Sequence, residues 1–456
     1  MAATQNDITD RSICILGMGF VGVTLAAVMA EAGFEVTGVD IRPDLVAMLN
    51  AGEAHFFEPG LTEKLKAAVH IGRLRTFEQI PKECAATVFI ITVGTPLDGS
   101  GRSDLTSIRA TSNEIAAHLK EGDLVVVRST VRLGTTRKIV KPILAAAGRL
   151  FDLAFCPERT VEGRAISELR VLPQVIGAET PQASLRAANL FQVITRMVVR
   201  VSDIETAELI KLIDNSTRDV AFAYANEVAM ICDAVGISAI EVIRSGRMGY
   251  SRTWLPQPGP VGGPCLSKDP HILCESLESY GIDPQITRTA RRFNELLPGK
   301  IGREIATLAR NVVGFRPDPK VAILGIAFKG EPPTDDIRGT TVPRVVEGLR
   351  SLLPDARFHG YDPIVDGASI ASLGLTPMEG LDRAFEGTDL VIIHSNHVSF
   401  AQMRLGELAR QMHTPGLIYD FWNLFTETGI ILPQGRRYIA IGSHARPMPG
   451  NPSAPA

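Results

Sequence analysis

The chain has 456 residues, 45% of them hydrophobic and 21% charged, the balance of a soluble globular protein too long for one ordinary core, so two or three domains are expected. Its 47 basic and 50 acidic side chains leave a net charge of −3, which gives no reason to expect nucleic acid or an anionic membrane as a partner. The six cysteines, at 14, 84, 156, 232, 265 and 274, show neither paired nor metal-like spacing, so no metal site is expected and reduced thiols in the cytoplasm are.

At the N-terminus no basic stretch precedes an apolar core, so no secretory signal is expected, and no apolar run reaches the roughly 18 residues that span a bilayer. Ser12–Leu16 is a short isoleucine-rich run suited to a buried parallel strand. It enters Gly17-Met18-Gly19-Phe20-Val21-Gly22 and then a helical pattern through Leu25, Val28 and Met29 that Gly33 ends. Glu35–Val39 is the next strand and finishes at Asp40. Strand, glycine turn, helix, strand and acid in this order form a dinucleotide-binding arrangement. Gly17 permits the tight turn, Gly19 lets the backbone approach a pyrophosphate, and Gly22 lets helix and strand pack closely. The helix N-terminus, with Phe20 and Val21, offers N–H groups to the phosphates. Asp40 is placed to accept hydrogen bonds from ribose hydroxyls, favouring NAD over NADP, whereas Arg42 tempers that preference because it can accommodate a 2′-phosphate.

The alternation of strand and helix continues. Thr87–Val93 ends in Gly94-Thr95-Pro96, Leu124–Arg128 in Ser129-Thr130-Val131, and Leu153–Phe155 in Cys156-Pro157-Glu158. Ligands collect at the carboxyl ends of strands in doubly wound sheets, so Thr95, Thr130 and Glu158 are expected to face one crevice. Each also admits ordinary loop chemistry, such as helix capping by threonine. Glu162 follows Glu158 at one-turn spacing.

Ile204–Val235 reads as one long helix, roughly 45 Å at 1.5 Å per residue, with Leu209, Leu212 and Ile213 apolar on one side and Gly236 as its stop. Such a helix joins domains or builds a dimer interface. Lys211 and Asn215 share one face, although a lysine on a helix is ordinarily just solvated. The stretch Gln257–Pro270, Q-P-G-P-V-G-G-P-C-L-S-K-D-P, then presents Cys265 behind prolines and glycines that suit neither helix nor strand. The thiol reads either as a reactive group or as a small buried hydrophobe. Asp269, before a proline and an apolar pattern starting near Ile272, also fits a helix N-cap.

In the C-terminal part, Leu296–Pro319 reads as a helix and linker, and Val321–Phe328 as a parallel-type strand followed by Lys329-Gly330 and a helix from about Thr341. Phe358–Tyr361, Leu390–His394 and Leu417–Tyr419 complete a second Rossmann-like unit without a glycine fingerprint. A phosphate there would rely on cations such as Lys329 and Arg338. The expected class is α/β, with two Rossmann-like doubly wound domains joined by a long central helix. The expected division is 1–203 for the dinucleotide, 204–300 for the central helical segment carrying Cys265, 301–445 for the second Rossmann-like domain, and a disordered Pro/Ala-rich tail at 446–456.

Taken together, the motifs resemble the nucleotide-sugar 6-dehydrogenases, the family of UDP-glucose and UDP-N-acetylmannosamine dehydrogenases, over nearly the whole chain from Gly17 to about Tyr419. G-M-G-F-V-G, E-P-G-L at Glu58–Leu61, V-G-T-P at Val93–Pro96, S-T-V at Ser129–Val131 and P-E at Pro157–Glu158 occur in the family's order. So do A-E-L-I-K-x-x-x-N at Ala207–Asn215, N-E at Asn226–Glu227, G-G-x-C-x-x-K-D at Gly262–Asp269, and L-G-x-A-F-K with D-D-x-R at Leu324–Arg338. The resemblance implies a cytoplasmic homodimer that oxidises C6 of a UDP-sugar to the acid with two NAD⁺, for surface polysaccharide precursors. It makes Cys265 the nucleophile that traps the aldehyde and passes through a thioester, and gives Lys211 and Asn215 the developing oxyanions. Glu158 and Asp269 become candidates for activating the hydrolytic water, with Thr130 holding a water. It also implies that Lys329 meets the UDP pyrophosphate, that Arg338 and Thr95 lie towards the cofactor, that Arg252 reaches the substrate of a partner subunit, and that Gly262 belongs to the substrate loop.

The chain departs from the family pattern in three loops. P-G-P-V-G-G is one glycine short, Pro264 stands where serine or histidine is usual, and Gly330-Glu331-Pro332-Pro333 lengthens the turn after Lys329. Arg159 and Arg218-Asp219 resemble the N-acetylmannosamine group, whereas Glu162-Gly163 and Lys268-Asp269 look more like the glucose group. The balance leans towards UDP-N-acetylmannosamine, with UDP-glucose as the alternative. A two-electron β-hydroxyacid-type dehydrogenase and a non-catalytic NAD-binding scaffold are the rival readings.

Overall fold

Parallel strands buried on both faces call for apolar side chains along their length, and the central strands of this protein supply them: Val88–Ile91 is wholly apolar and Asp123–Val127 is apolar after its first residue. In the computed structural model, which describes residues 10–425 and 430–443, the chain divides into two compact units. One ends at Ser216 and takes in Lys268–Pro284; the other comprises Thr217–Ser267 and the chain from Gln285 onward. The segment 204–300 is thus shared between them. The tail expected at 446–456 lies outside the described residues.

The first unit holds an eight-stranded sheet of β1 (Ser12–Leu16), β2 (Glu35–Val39), β3 (Leu74–Phe77), β4 (Val88–Ile91), β5 (Asp123–Val127), β6 (Phe151–Phe155), β7 (Gln174–Ala178) and β8 (Val198–Arg200). Its order is β3-β2-β1-β4-β5-β6-β7-β8, parallel throughout except that β7 runs antiparallel to β6. Every residue of β4 and β5 is buried, with helices filling both faces. The crossing from β1 to β4 is the topological switch point, where ligands meet the strand ends.

The second unit repeats the arrangement with β9 (Lys320–Leu324), β10 (Arg357–Tyr361), β11 (Thr376–Pro377), β12 (Leu390–Ile393), β13 (Gly416–Asp420) and β14 (Arg436–Ala440). Its all-parallel order β11-β10-β9-β12-β13-β14 is the same doubly wound order. Helix Gln285–Arg310 crosses helix Val342–Arg350 through glycines: a Cβ on Gly302 would lie 2.4 Å from the Val345 carbonyl oxygen, and one on Gly348 2.3 Å from that of Gly299.

Three local expectations are corrected. The strand expected over Val321–Phe328 stops at Leu324, because Gly325 turns the chain at φ +90°. The helix expected from Leu296 starts at Gln285 and runs through Pro298. On the long helix Ile204–Val235, Ile213 is 46% exposed, whereas Leu212 is buried with Ile272 and Leu273. Half of the other buried positions on that helix are polar, Glu208, Lys211 and Asn215 among them. Apolar spacing alone does not reveal a helix face buried for its chemistry.

Candidate active site

In the first unit, Gly17 takes φ +98° and donates its N–H to the Val39 carbonyl at 2.8 Å. A Cβ on Gly22 would sit 2.0 Å from the Gly17 carbonyl oxygen, while one on Gly19 would meet nothing within 4 Å. The turn is therefore closed on its inner side and open on its outer side. Helix Phe20–Glu31 starts there without a side-chain cap, so its N-terminal dipole faces the open side. Val21 is in its first turn, and Phe20 stacks on Phe56 with centroids 3.9 Å apart. Asp40 accepts from the Met18 N–H at 2.9 Å and from the Arg42 N–H at 3.1 Å. The Arg42 side chain, half exposed, comes to 3.6 Å of the same carboxylate. This cradle fits a dinucleotide pyrophosphate: glycine backbone, an open outer face and a carboxylate at the end of the second strand.

Across the switch point, the Thr95 hydroxyl donates to the Thr130 carbonyl at 2.6 Å and the Ser129 hydroxyl to the Val93 carbonyl at 2.6 Å, which ties the ends of β4 and β5 together. Beside them, Glu158 forms a buried ion pair with Arg128 at 2.6 Å. Burial pushes the Glu158 carboxyl up, but the Arg128 guanidinium and the Thr160 donors outweigh it and hold the group below its usual value. Arg159 pairs with Asp214 on the long helix at 2.7 Å. Glu58 accepts from the Gly163 N–H at 2.7 Å and so holds the loop carrying the partly buried Glu162.

Lys211 and Asn215 are both buried on the long helix, 8% and 6% exposed. Asn215 donates through Nδ2 to Asp269 at 2.5 Å, and Lys268 Nζ reaches the other Asp269 oxygen at 2.9 Å. Asp269 does not cap the helix that begins with it, Asp269–Glu278. Its carboxylate is already engaged by side chains, and a residue inside the first turn cannot fold back as a cap does. That helix is held to the unit by Glu275, which accepts from the Ser103 N–H at 2.8 Å and from Arg132 at 2.9 Å.

In the second unit, Cys265 is exposed on its loop and is a reduced thiol. Asn226 pairs with both backbone groups of Gly259, at 2.8 and 3.0 Å. The Gly263 N–H donates to the Gly339 carbonyl at 3.0 Å. A Cβ on Gly262 would lie 2.4 Å from that carbonyl oxygen, and one on Gly263, at φ +96°, 2.5 Å from the Phe328 ring. Only glycine allows this seating. Arg291, buried against Asp219 at 2.8 Å, donates to the Leu266 carbonyl at 2.6 Å. The thiol loop thus rests on the residue before Lys329. Asp362 accepts from the Ile326 and Ala327 N–H groups at 2.7 and 3.2 Å, and Asn396 from those of Gly330 and Glu331 at 3.0 and 3.1 Å, so Lys329 is bracketed from both sides. Arg338 pairs with Asp336 at 2.8 Å. Arg218 is exposed, and Arg252 is exposed over the Tyr250 ring at 5.6 Å.

Arg128, Glu208, Arg291, Asp362 and Asn396 escape a reading by motif, because single polar residues at strand ends or on helices carry no spacing signal. Arg128 alone leaves a trace, as a charge closing the all-apolar run Leu124–Val127. Among the described residues no helix is long and apolar enough to cross a membrane.

Successive parts of the chain match the three domain models of the UDP-glucose/GDP-mannose dehydrogenase family: the NAD-binding domain over residues 11–195, the central domain over 205–296 and the UDP-binding domain over 322–427. The UDP-N-acetyl-D-mannosamine dehydrogenase of Pyrococcus horikoshii is 31% identical over 91% of this chain and 96% of its own length. The NDP-N-acetyl-D-galactosaminuronic acid dehydrogenase of Ralstonia nicotianae is 35% identical over 75% of this chain and 81% of its own. The solved structure of the UDP-D-ManNAc dehydrogenase from Pyrococcus horikoshii superposes with a TM-score of 0.85, covering 95% of this chain and all of that one at 31% identity.

Proposed function

Because the chain belongs to the UDP-glucose/GDP-mannose dehydrogenase family, we propose that this NAD-dependent dehydrogenase oxidises C6 of UDP-N-acetyl-D-mannosamine from alcohol to carboxylate. The balance is one CH₂OH group, two NAD⁺ and one water giving a carboxylate, two NADH and three protons. The similarity to a UDP-N-acetyl-D-mannosamine dehydrogenase along nearly the full length of both chains supports this sugar; UDP-glucose is the second reading.

When bound, NAD supplies the hydride acceptor, and the remaining work falls to the chain. Gly17–Gly22 hold the pyrophosphate, Asp40 the ribose, and Thr95 and Arg338 further parts of the cofactor. Lys329 meets the UDP pyrophosphate. The Cys265 thiolate adds to the C6 aldehyde and forms a C–S bond, and loss of the second hydride turns that thiohemiacetal into a thioester. Water then cleaves the C–S bond, releasing the acid and restoring the thiol. Lys211 and Asn215 stabilise the oxyanions at C6. Asp269 takes the proton of the attacking water, with Thr130 holding that water. Arg159, Glu162, Arg218 and Gly262 line the sugar, and Arg252 of one protomer serves the substrate of its partner in a cytoplasmic homodimer.

The observation that carries this reading is the seating of the thiol loop. Two glycines with no room for a side chain press it onto Gly339 and Phe328, the residue before the lysine proposed for the nucleotide, while Cys265 on the same loop stays exposed. The test is a panel of UDP-sugars in which NADH formed is counted against sugar consumed. Two NADH per sugar are expected, with UDP-N-acetyl-D-mannosamine turned over fastest. One NADH per sugar would show a two-electron dehydrogenase, and NAD binding without turnover a scaffold. Cys265→Ser is expected to bind NAD normally and form no acid; normal turnover in that variant removes the covalent route.

A further inference from the structure

One buried ion pair in the first unit is unused by the steps above. Arg128 directly follows β5 and is 2% exposed. Its Nη1 donates to the Cys156 carbonyl at 2.9 Å and to Gln174 Oε1 at 2.8 Å. Its Nε and Nη2 donate to Glu158 Oε2 at 3.2 and 2.6 Å, and the guanidinium lies over the Phe191 ring, 5.2 Å from its centroid. The other Glu158 oxygen, Oε1, accepts from the N–H groups of Arg159 at 2.8 Å and Thr160 at 2.9 Å. A carboxylate offers about four lone-pair positions, and these four donors fill them. By contrast, Asp269 accepts one side-chain bond at each oxygen, from Asn215 and Lys268.

We infer that Arg128 is a positioning residue for this oxidation: it holds Glu158 as a fully bonded anchor of the Cys156–Thr160 loop, so Glu158 orients that loop and does not take the proton of the hydrolytic water. The inference rests on the function proposed above and narrows it, leaving that proton to Asp269. The physical reason is charge balance. Protonating Glu158 would leave a buried guanidinium without its counter-charge and turn an O–H towards donors, an arrangement disfavoured inside a protein. The anchored loop carries Arg159, whose pairing with Asp214 links it to the helix of Lys211 and Asn215.

The test is Arg128→Lys, which keeps the charge and loses the planar fork. In the full-length enzyme, kcat is expected to fall about tenfold or more at every pH and KM for the UDP-sugar to rise, with the midpoint of the acidic limb of kcat unmoved. A midpoint shifted to higher pH overturns the inference, because loosening the partner of a titrating Glu158 raises its pKa. Glu158→Gln gives a second reading: an anchor predicts a raised KM and a modest loss of kcat. A fall in kcat of about 10²–10⁴-fold at unchanged KM, the signature of a lost base, overturns it. If the native chain oxidises none of the sugars, the proposed function fails while the anchor is still read directly. The infrared difference between the native chain and Glu158→Gln is then expected to keep the Glu158 carboxylate band to a pH below that at which an ordinary glutamate protonates, and protonation at ordinary glutamate pH refutes the anchor.

Discussion

Lys211 shows most plainly how a single residue carries function here. An ammonium group is costly to take out of water, yet Lys211 is only 8% exposed, one turn from the equally buried Asn215. A charge kept in that setting serves best where negative charge develops during reaction. Lys211→Ala is therefore expected to lower kcat by about 10²-fold or more, with KM changed by less than about threefold. Steady-state kinetics decide it; a loss appearing only in KM would assign Lys211 to ground-state binding. Asp269 teaches the converse lesson. Its place before a proline points to a helix cap, but the side chains around it engage its carboxylate instead.

Among the elements, the long helix Ile204–Val235 joins chemistry to architecture. Glu208, fully buried on it, accepts the N–H groups of Gly134 and Thr136 at 2.5 and 2.9 Å and so ties it to the segment after Thr130. Burial pushes the Glu208 carboxyl from an ordinary 4.5 up to about 7, with Glu205 adding to the rise and the Thr136 and Gly134 donors opposing it. The folded chain thus keeps a proton that the unfolded chain has already released between those values. Stability contributed by the protonated group is complete below the ordinary value and is lost as pH rises towards 7, at up to about 1.4 kcal/mol per pH unit. Glu208→Gln keeps a neutral polar group and removes the titration. Denaturation curves of the variant are expected to show a flatter dependence between about pH 5 and 7, and an unaltered slope would place the titration on another group.

At the scale of the whole molecule, two sheets of the same strand order use the same turn. Gly17 and Gly325 both adopt positive φ after the first strand, and Asp40 and Asp362, each just beyond the second strand, both accept from the N–H group that follows that glycine. Only the first turn carries the further glycines Gly19 and Gly22, which suits the first unit to a pyrophosphate on bare backbone and leaves the second to its cations. The second half of the long helix also exposes Tyr224, Ile231 and Val235 at 57%, 53% and 62%. Their spacing of seven and four residues places them on one stripe. An apolar stripe of this kind is expected to be covered by the same stripe of a second copy in a two-fold dimer. Sedimentation equilibrium is expected to show a dimer for the native chain and a monomer for Ile231→Lys; a native monomer would rule the dimer out.

The α/β class, the first dinucleotide turn and the span of the long helix are legible along the chain, because these depend on glycines, breakers and apolar periodicity acting over a few neighbouring residues. The candidate chemistry at Cys265, Lys211, Asn215 and Glu158 was legible for a different reason: their motifs run in a recognisable order. Which partners those groups have is settled only by the folded chain: Arg128 on Glu158, Asn215 on Asp269, Asp362 and Asn396 around Lys329. Such pairings join residues that folding brings together across strand ends and helix faces. They follow from the requirement that each buried charge or donor find a partner, and local sequence does not encode which partner it will be.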